Sequence, residues 1–139
     1  MKFIKPLLIL ICILPFIAAC SSEKRQSELL EKKLKKRVAA ASAMLEKIGK
    51  EMNGQIINLS IASPINVSLN LKEKTAITTT DIKITMQSAR SSESEIIPAR
   101  IAWRLYEDGD WQIEYVIPLQ LMEMLQIDQM VERLKKMKR

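Results

Sequence analysis

Ile101-Ala102-Trp103-Arg104-Leu105-Tyr106-Glu107-Asp108-Gly109-Asp110-Trp111-Gln112-Ile113-Glu114-Tyr115 is the stretch on which the fold turns. Apolar and polar residues alternate on both sides of an acidic, glycine-bearing centre, which is the pattern of an antiparallel hairpin. A two-residue Asp108-Gly109 turn would set Tyr106 opposite Trp111 and send Ile101, Trp103 and Leu105 to the face away from Trp111, Ile113 and Tyr115. A three-residue loop, Glu107-Asp108-Gly109 with Gly109 left-handed, pairs Leu105 with Trp111, Trp103 with Ile113 and Ile101 with Tyr115 on one face. A one-residue slip flips a whole face, so burial selects the three-residue loop. Arg104 then pairs with Gln112, diagonal to Glu114, on the wet face.

The same period of two extends upstream. Ile57, Leu59 and Ile61 alternate with polar residues until Pro64, which confines the region to a sheet edge or a turn. Ile65, Val67, Leu69 and Leu71 follow in the same rhythm, and Lys72-Glu73-Lys74 makes a charged turn. Ala76 to Ser88 is a Thr- and Ile-rich strand, Ser88 to Glu95 reads as an exposed loop, and strands are expected at about Ala99–Tyr106 and Asp110–Ile117. Helical spacing brackets the strands. Leu34, Val38, Ala41, Leu45, Ile48 and Met52 form one stripe of a helix from about Ser27. Gly54 suits the left-handed position that ends it. Beyond Pro118 a second helix, from about Leu119, carries Leu121, Met124 or Leu125, Ile127, Met130, Val131, Leu134 and Met137. The expected fold is α+β: an N-terminal amphipathic helix, an antiparallel meander of four to five strands, and a C-terminal amphipathic helix on one face of the sheet.

The N-terminus has another character. Lys2 and Lys5 precede an apolar run from Pro6 to Ile17, and Ile17-Ala18-Ala19-Cys20 closes it. That is the layout of a secretory signal peptide. The small residues before a cysteine resemble the lipobox of bacterial lipoproteins. The resemblance implies cleavage between Ala19 and Cys20, with a diacylglyceryl group on the Cys20 sulfur. The alternatives are an ordinary signal peptide cut at an Ala-x-Ala-like site, and a transmembrane anchor, for which an apolar run of roughly 12 residues falls short of the ~20 required. The division expected is residues 1–19 as signal peptide, 20–26 as lipidated cysteine and tether, and 27–139 as a single α+β domain. The Trp103–Ile113 segment is also similar to the closing hairpin of cystatin-like and nuclear-transport-factor-like α+β domains, from whose usual form the C-terminal helix departs.

Composition narrows the chemistry. There is no histidine, so the commonest general base and metal ligand are missing. Of the two cysteines, Cys12 leaves with the signal and Cys20 is consumed by lipid, so neither a disulfide within the chain nor a thiolate nucleophile is expected. Losing Lys2 and Lys5 lowers the formal net charge of +6 by two. Met44, Met52, Met86, Met122, Met124, Met130 and Met137 could offer thioethers to copper(I), but their helical spacing reads as adaptable core filler. Glu107, Asp108 and Asp110 at the hairpin tip, with Glu93 and Glu95, match no calcium-loop spacing. No catalytic residue, metal or cofactor is expected, an enzyme using paired carboxylates or Ser-Lys being the minority reading.

Lys32, Lys33, Lys35, Lys36 and Arg37 form the densest charge cluster. They could meet anionic headgroups or a protein partner. Alternatively they are a solvated face with Glu28–Lys32 and Glu31–Lys35 pairs at i, i+4 spacing. The leading expectation is a non-catalytic, lipid-anchored cell-envelope protein presenting an interaction module, an accessory or assembly component of an envelope complex. The alternative is a periplasmic ligand-binding lipoprotein with a pocket between sheet and helices. Expected partners are the membrane, through Cys20, and an envelope protein. Nucleic acid is not expected, because no aromatic-basic platform appears. The domain is expected to be a monomer or weak dimer. Ser21, standing where an Asp would retain the protein in the inner membrane, implies by the same resemblance the periplasmic face of the outer membrane, with the inner membrane as alternative.

Overall fold

The computed structural model describes the backbone of residues 4–52 and 54–138, and the side chains among them from Ser22 onward. The side chains of Ala19 and Cys20, the expected cleavage and lipidation positions, lie outside the described residues. The elements are α1 (Ile4–Glu51), β1 (Ile56–Ile61), β2 (Asn66–Asn70), β3 (Thr75–Gln87), β4 (Ser92–Leu105), β5 (Trp111–Ile117), α2 (Leu119–Leu125) and α3 (Ile127–Met137). The chain is α+β, as the alternation of periods requires.

All strand pairs are antiparallel, in the order β1-β3-β4-β5, and β2 shares the β3 edge with β1. β1 pairs with the second half of β3 and β2 with the first, so the two are one edge strand broken at Ala62–Ile65. Pro64 lies in the break, where a missing N–H does no harm. Ser63 supplies the missing ladder bonds. Its hydroxyl accepts from the Asp81 N–H at 2.7 Å, its carbonyl accepts from the Thr80 hydroxyl at 3.0 Å, and the Ala62 N–H reaches the Asp81 carbonyl at 2.8 Å.

One face of the sheet carries Ala76, Thr78, Thr80, Ile82 and Ile84 of β3 beside Ala99, Ile101 and Trp103 of β4, all buried. Leu30, Leu34, Val38 and Ala41 of α1 cover this face, and Leu121 and Leu125 of α2 close it. Each fully buried Leu contributes about 1.5–3 kcal/mol. Trp103 brings a polar atom into the core and satisfies it there, its indole N–H donating to the Thr78 hydroxyl at 2.9 Å. α1 also shields the outer edge of β1, where the Leu59 N–H donates to the Ser42 hydroxyl at 2.9 Å.

The hairpin loop is the three-residue one. The Tyr106 N–H meets the Asp110 carbonyl, the Gly109 N–H meets the Tyr106 carbonyl, both at 3.0 Å, and Gly109 has φ of 83°. Leu105–Trp111, Arg104–Gln112 and Trp103–Ile113 pair as expected, but Ile101 faces Val116 rather than Tyr115. Glu114 is an extra residue between the pairs Trp103–Ile113 and Ala102–Tyr115, a β-bulge. The bulge buries Val116 and turns Tyr115 out to 43% exposure. Glu114 uses its position to bind Arg104 at 3.1 Å.

Three further expectations change. The segment Ser88–Glu95 is not all loop: only Ser88–Ser91 turns, and Ser92 to Glu95 pair with Gln87 to Ile84. A strand wet on both sides needs no apolar alternation, so the polar sequence concealed it. Gly54 does not take a left-handed φ, Gly109 being the one glycine that does among the described residues. The Gly54 N–H instead bonds the Gly49 carbonyl, five residues back, at 3.0 Å. The C-terminal helix breaks at Gln126 into α2 and α3. α2 is buried through Leu121 and Leu125, and α3 has no fully buried residue.

Candidate functional site

The basic cluster of α1 divides by helical phase. Leu30, Leu34 and Val38 point into the core, Lys33 and Arg37 lie along the margin of that stripe, and Lys36, itself exposed, lines the cleft beyond them. Lys32 and Lys35 face solvent. Of the expected intrahelical pairs, Glu31–Lys35 forms at 3.4 Å, whereas Glu28–Lys32 does not come within ion-pair distance. The run of five cations is therefore two surfaces.

The inner surface forms one wall of a cleft of about 600 Å³ between α1, the β4–β5 hairpin and α3. Lys33 spans the near end: its ammonium binds the Asp110 carboxylate and donates to the Trp111 carbonyl at 2.8 Å. Arg37 reaches across to Asp128 in the first turn of α3, a side chain 16% exposed against one 23% exposed. This cross-link fastens α3 to the body. Lys36 of α1 and Arg133 of α3 also line the cleft, and neither makes an ion pair among the described residues. Gln112, Gln126 and Gln129 add amide groups to the walls, and Trp103 and Trp111 contribute aromatic surface.

Two cations are thus neutralised within the site and two carry their charge into it. The amides can donate or accept, and Lys36 and Arg133 can only donate. Such a lining suits a carboxylate or a phosphate, with Arg133 able to present a planar fork to it. Among the residues missed from sequence, Gln129 and Arg133 stand four apart on α3, so both facing the cleft was readable once a wall was known to oppose them.

The acidic residues of the hairpin tip part company. Asp110 joins Lys33, the Asp108 carboxylate accepts from the Asp110 N–H at 3.0 Å in a turn closure, and Glu107 is exposed. Glu93 and Glu95 sit on β4 opposite Met86 and Ile84, away from the tip. Among the described residues no three His, Cys, Asp or Glu side chains gather as a metal site would require. Of the methionines read as core filler, Met86, Met122 and Met124 pack against the core, but Met52, Met130 and Met137 are largely exposed. Their helical spacing was sound, but no surface opposes them.

No protein-family model, curated protein or solved structure matches this chain. Among the described residues, no helix is long and apolar enough to cross a membrane.

Proposed function

We propose that this is a non-catalytic, lipid-anchored envelope protein whose basic cleft docks an acidic segment of a partner in the same envelope. The observation that supports the reading is continuity. α1 runs unbroken from the lipobox cysteine into the cleft wall, so Cys20 and Lys36 stand about 24 Å apart along one helix. A cleft held at that reach meets partners on the same membrane. Lys33 and Arg37 are turned inward onto Asp110 and Asp128, which favours partner contact over headgroup contact for this cluster. The interior between sheet and helices is filled by Leu34, Ile101, Leu121 and Leu125, and the basic cleft lies at its rim.

Two measurements test this. Labelling with palmitate should mark the wild type and not Cys20→Ala, which should also leave the membrane; a labelled Cys20→Ala protein overturns the anchor. A photo-cross-linking residue at Gln129 in cells should trap a discrete protein, and Lys36→Glu with Arg133→Glu should abolish the adduct. An adduct indifferent to those charges removes the acidic partner. Ser21 supports the periplasmic face of the outer membrane as the destination. Sucrose-gradient fractionation should place wild type with outer-membrane markers and shift Ser21→Asp toward the inner membrane.

A further inference from the structure

α3 has an apolar side with little to rest on. Ile127 and Val131 are half-buried, but Met130, Leu134 and Met137 are 46%, 58% and 81% exposed, and every residue from Glu132 to Lys138 is exposed. At the ~100° per residue of a helix, the five apolar side chains share an arc of about 120°. Lys135 borders that arc beside Val131 and Lys138 falls within it, while Arg133, on the other border beside Met137, lines the cleft. Glu132 lies across the helix, and Arg37 takes the charge of Asp128, which sits just beyond Lys135. Lys136 and Lys138 raise the positive charge of the protruding half further.

An apolar arc on a helix end that carries Lys135, Lys136 and Lys138 matches the boundary between acyl chains and phosphates. Aliphatic stems can lie along the apolar layer while the charged heads rise to the phosphates. A protein groove would have to offer an acid to each of these lysines, whereas an anionic bilayer offers anionic groups everywhere. We propose that α3 seats in the headgroup region of an anionic membrane surface, with Met130, Leu134 and Met137 dipping inward and Lys135 and Lys138 at the phosphates. It forms a second, reversible attachment beside the lipid at Cys20. The proposal draws on the anchored reading above only for nearness to a bilayer. A single lipid modification gains much from a second membrane signal.

The test uses the full chain with Cys12→Ser and Cys20→Ser, held on vesicles by its own apolar N-terminus, and a polarity-sensitive fluorophore on Leu134→Cys. On phosphatidylcholine vesicles containing phosphatidylglycerol, emission should shift to the blue and rise about threefold over phosphatidylcholine alone, and nitroxide-bearing lipids should quench it. The same probe on Lys136→Cys, across the helix, should stay aqueous. Adding Lys135→Glu and Lys138→Glu should abolish the response. A Leu134→Cys probe that stays aqueous on both vesicles overturns the proposal. So does one shielded equally on both, or one shielded without vesicles in proportion to protein concentration, which would mean self-association. Because this protein lacks the Cys20 thiol, failure here leaves the lipid anchor untouched, and failed palmitate labelling leaves this result untouched.

Discussion

The indole N–H of Trp111 donates to the side-chain carbonyl of Gln26 at 2.7 Å, joining residues 85 positions apart. Trp111 is 1% exposed, so its polar edge depends on this acceptor. Gln26 belongs to the polar stretch that composition reads as a tether, yet the hairpin holds it. The folded unit therefore takes hold of α1 one turn ahead of Leu30, the first fully buried residue among those described.

Gln26→Ala should lower the unfolding free energy by about 1–2 kcal/mol, since it strands a buried donor. A denaturant titration followed by tryptophan emission measures it. An unchanged midpoint would show that the indole finds water instead.

Thr78→Val keeps the shape of a fully buried residue and removes the acceptor of the Trp103 indole. The expected cost is about 1–3 kcal/mol. The double variant Thr78→Val, Trp103→Phe should recover part of the loss, because no orphaned donor remains. A double-mutant cycle with no coupling would refute the role of this bond.

Arg37→Ala and Asp128→Ala should each destabilise the domain by about 1–3 kcal/mol, between the values for exposed and fully buried ion pairs. α3 should loosen first, as its other contacts are few. Hydrogen exchange should quicken selectively at Ile127–Met137. Uniform quickening through the sheet would mean the pair supports the whole core.

Gly49→Ala should cost about 1–3 kcal/mol by overpacking. A Cβ there would lie 2.7 Å from the Gln55 carbonyl oxygen and 3.1 Å from the Ile56 Cα, both backbone atoms. Gly54→Ala, whose Cβ would meet nothing within 4 Å, is the control and should be near neutral in thermal unfolding.

How far the sequence could be read follows from the range of the interactions. The hairpin loop, the pairs Leu105–Trp111 and Trp103–Ile113, and the core stripe of α1 were legible because period and turn chemistry are local. The pairing was lost at Glu114, because the bulge sets which of Tyr115 and Val116 is buried, and that depends on packing beyond the hairpin. The Ser92–Glu95 strand was hidden by its polarity, since only backbone pairing to β3 specifies it. The apolar stripe of α3 reads as core from its spacing, because spacing reports a face but not what opposes it.

Of the candidate sites, the proposed lipidation signal at Cys20 is a matter of sequence alone, carried by adjacent residues before any folding. The positive charge of Lys33, Lys36 and Arg37 is likewise written locally. Which of these charges stay active was decided only in three dimensions, where Asp110 lies 77 positions from Lys33 and Asp128 lies 91 from Arg37. Periodicity specifies the faces of helices and strands because it depends on neighbours one turn or two residues away. Charge compensation and the cleft depend on distant segments brought together by burial of the core, and no local pattern encodes that meeting.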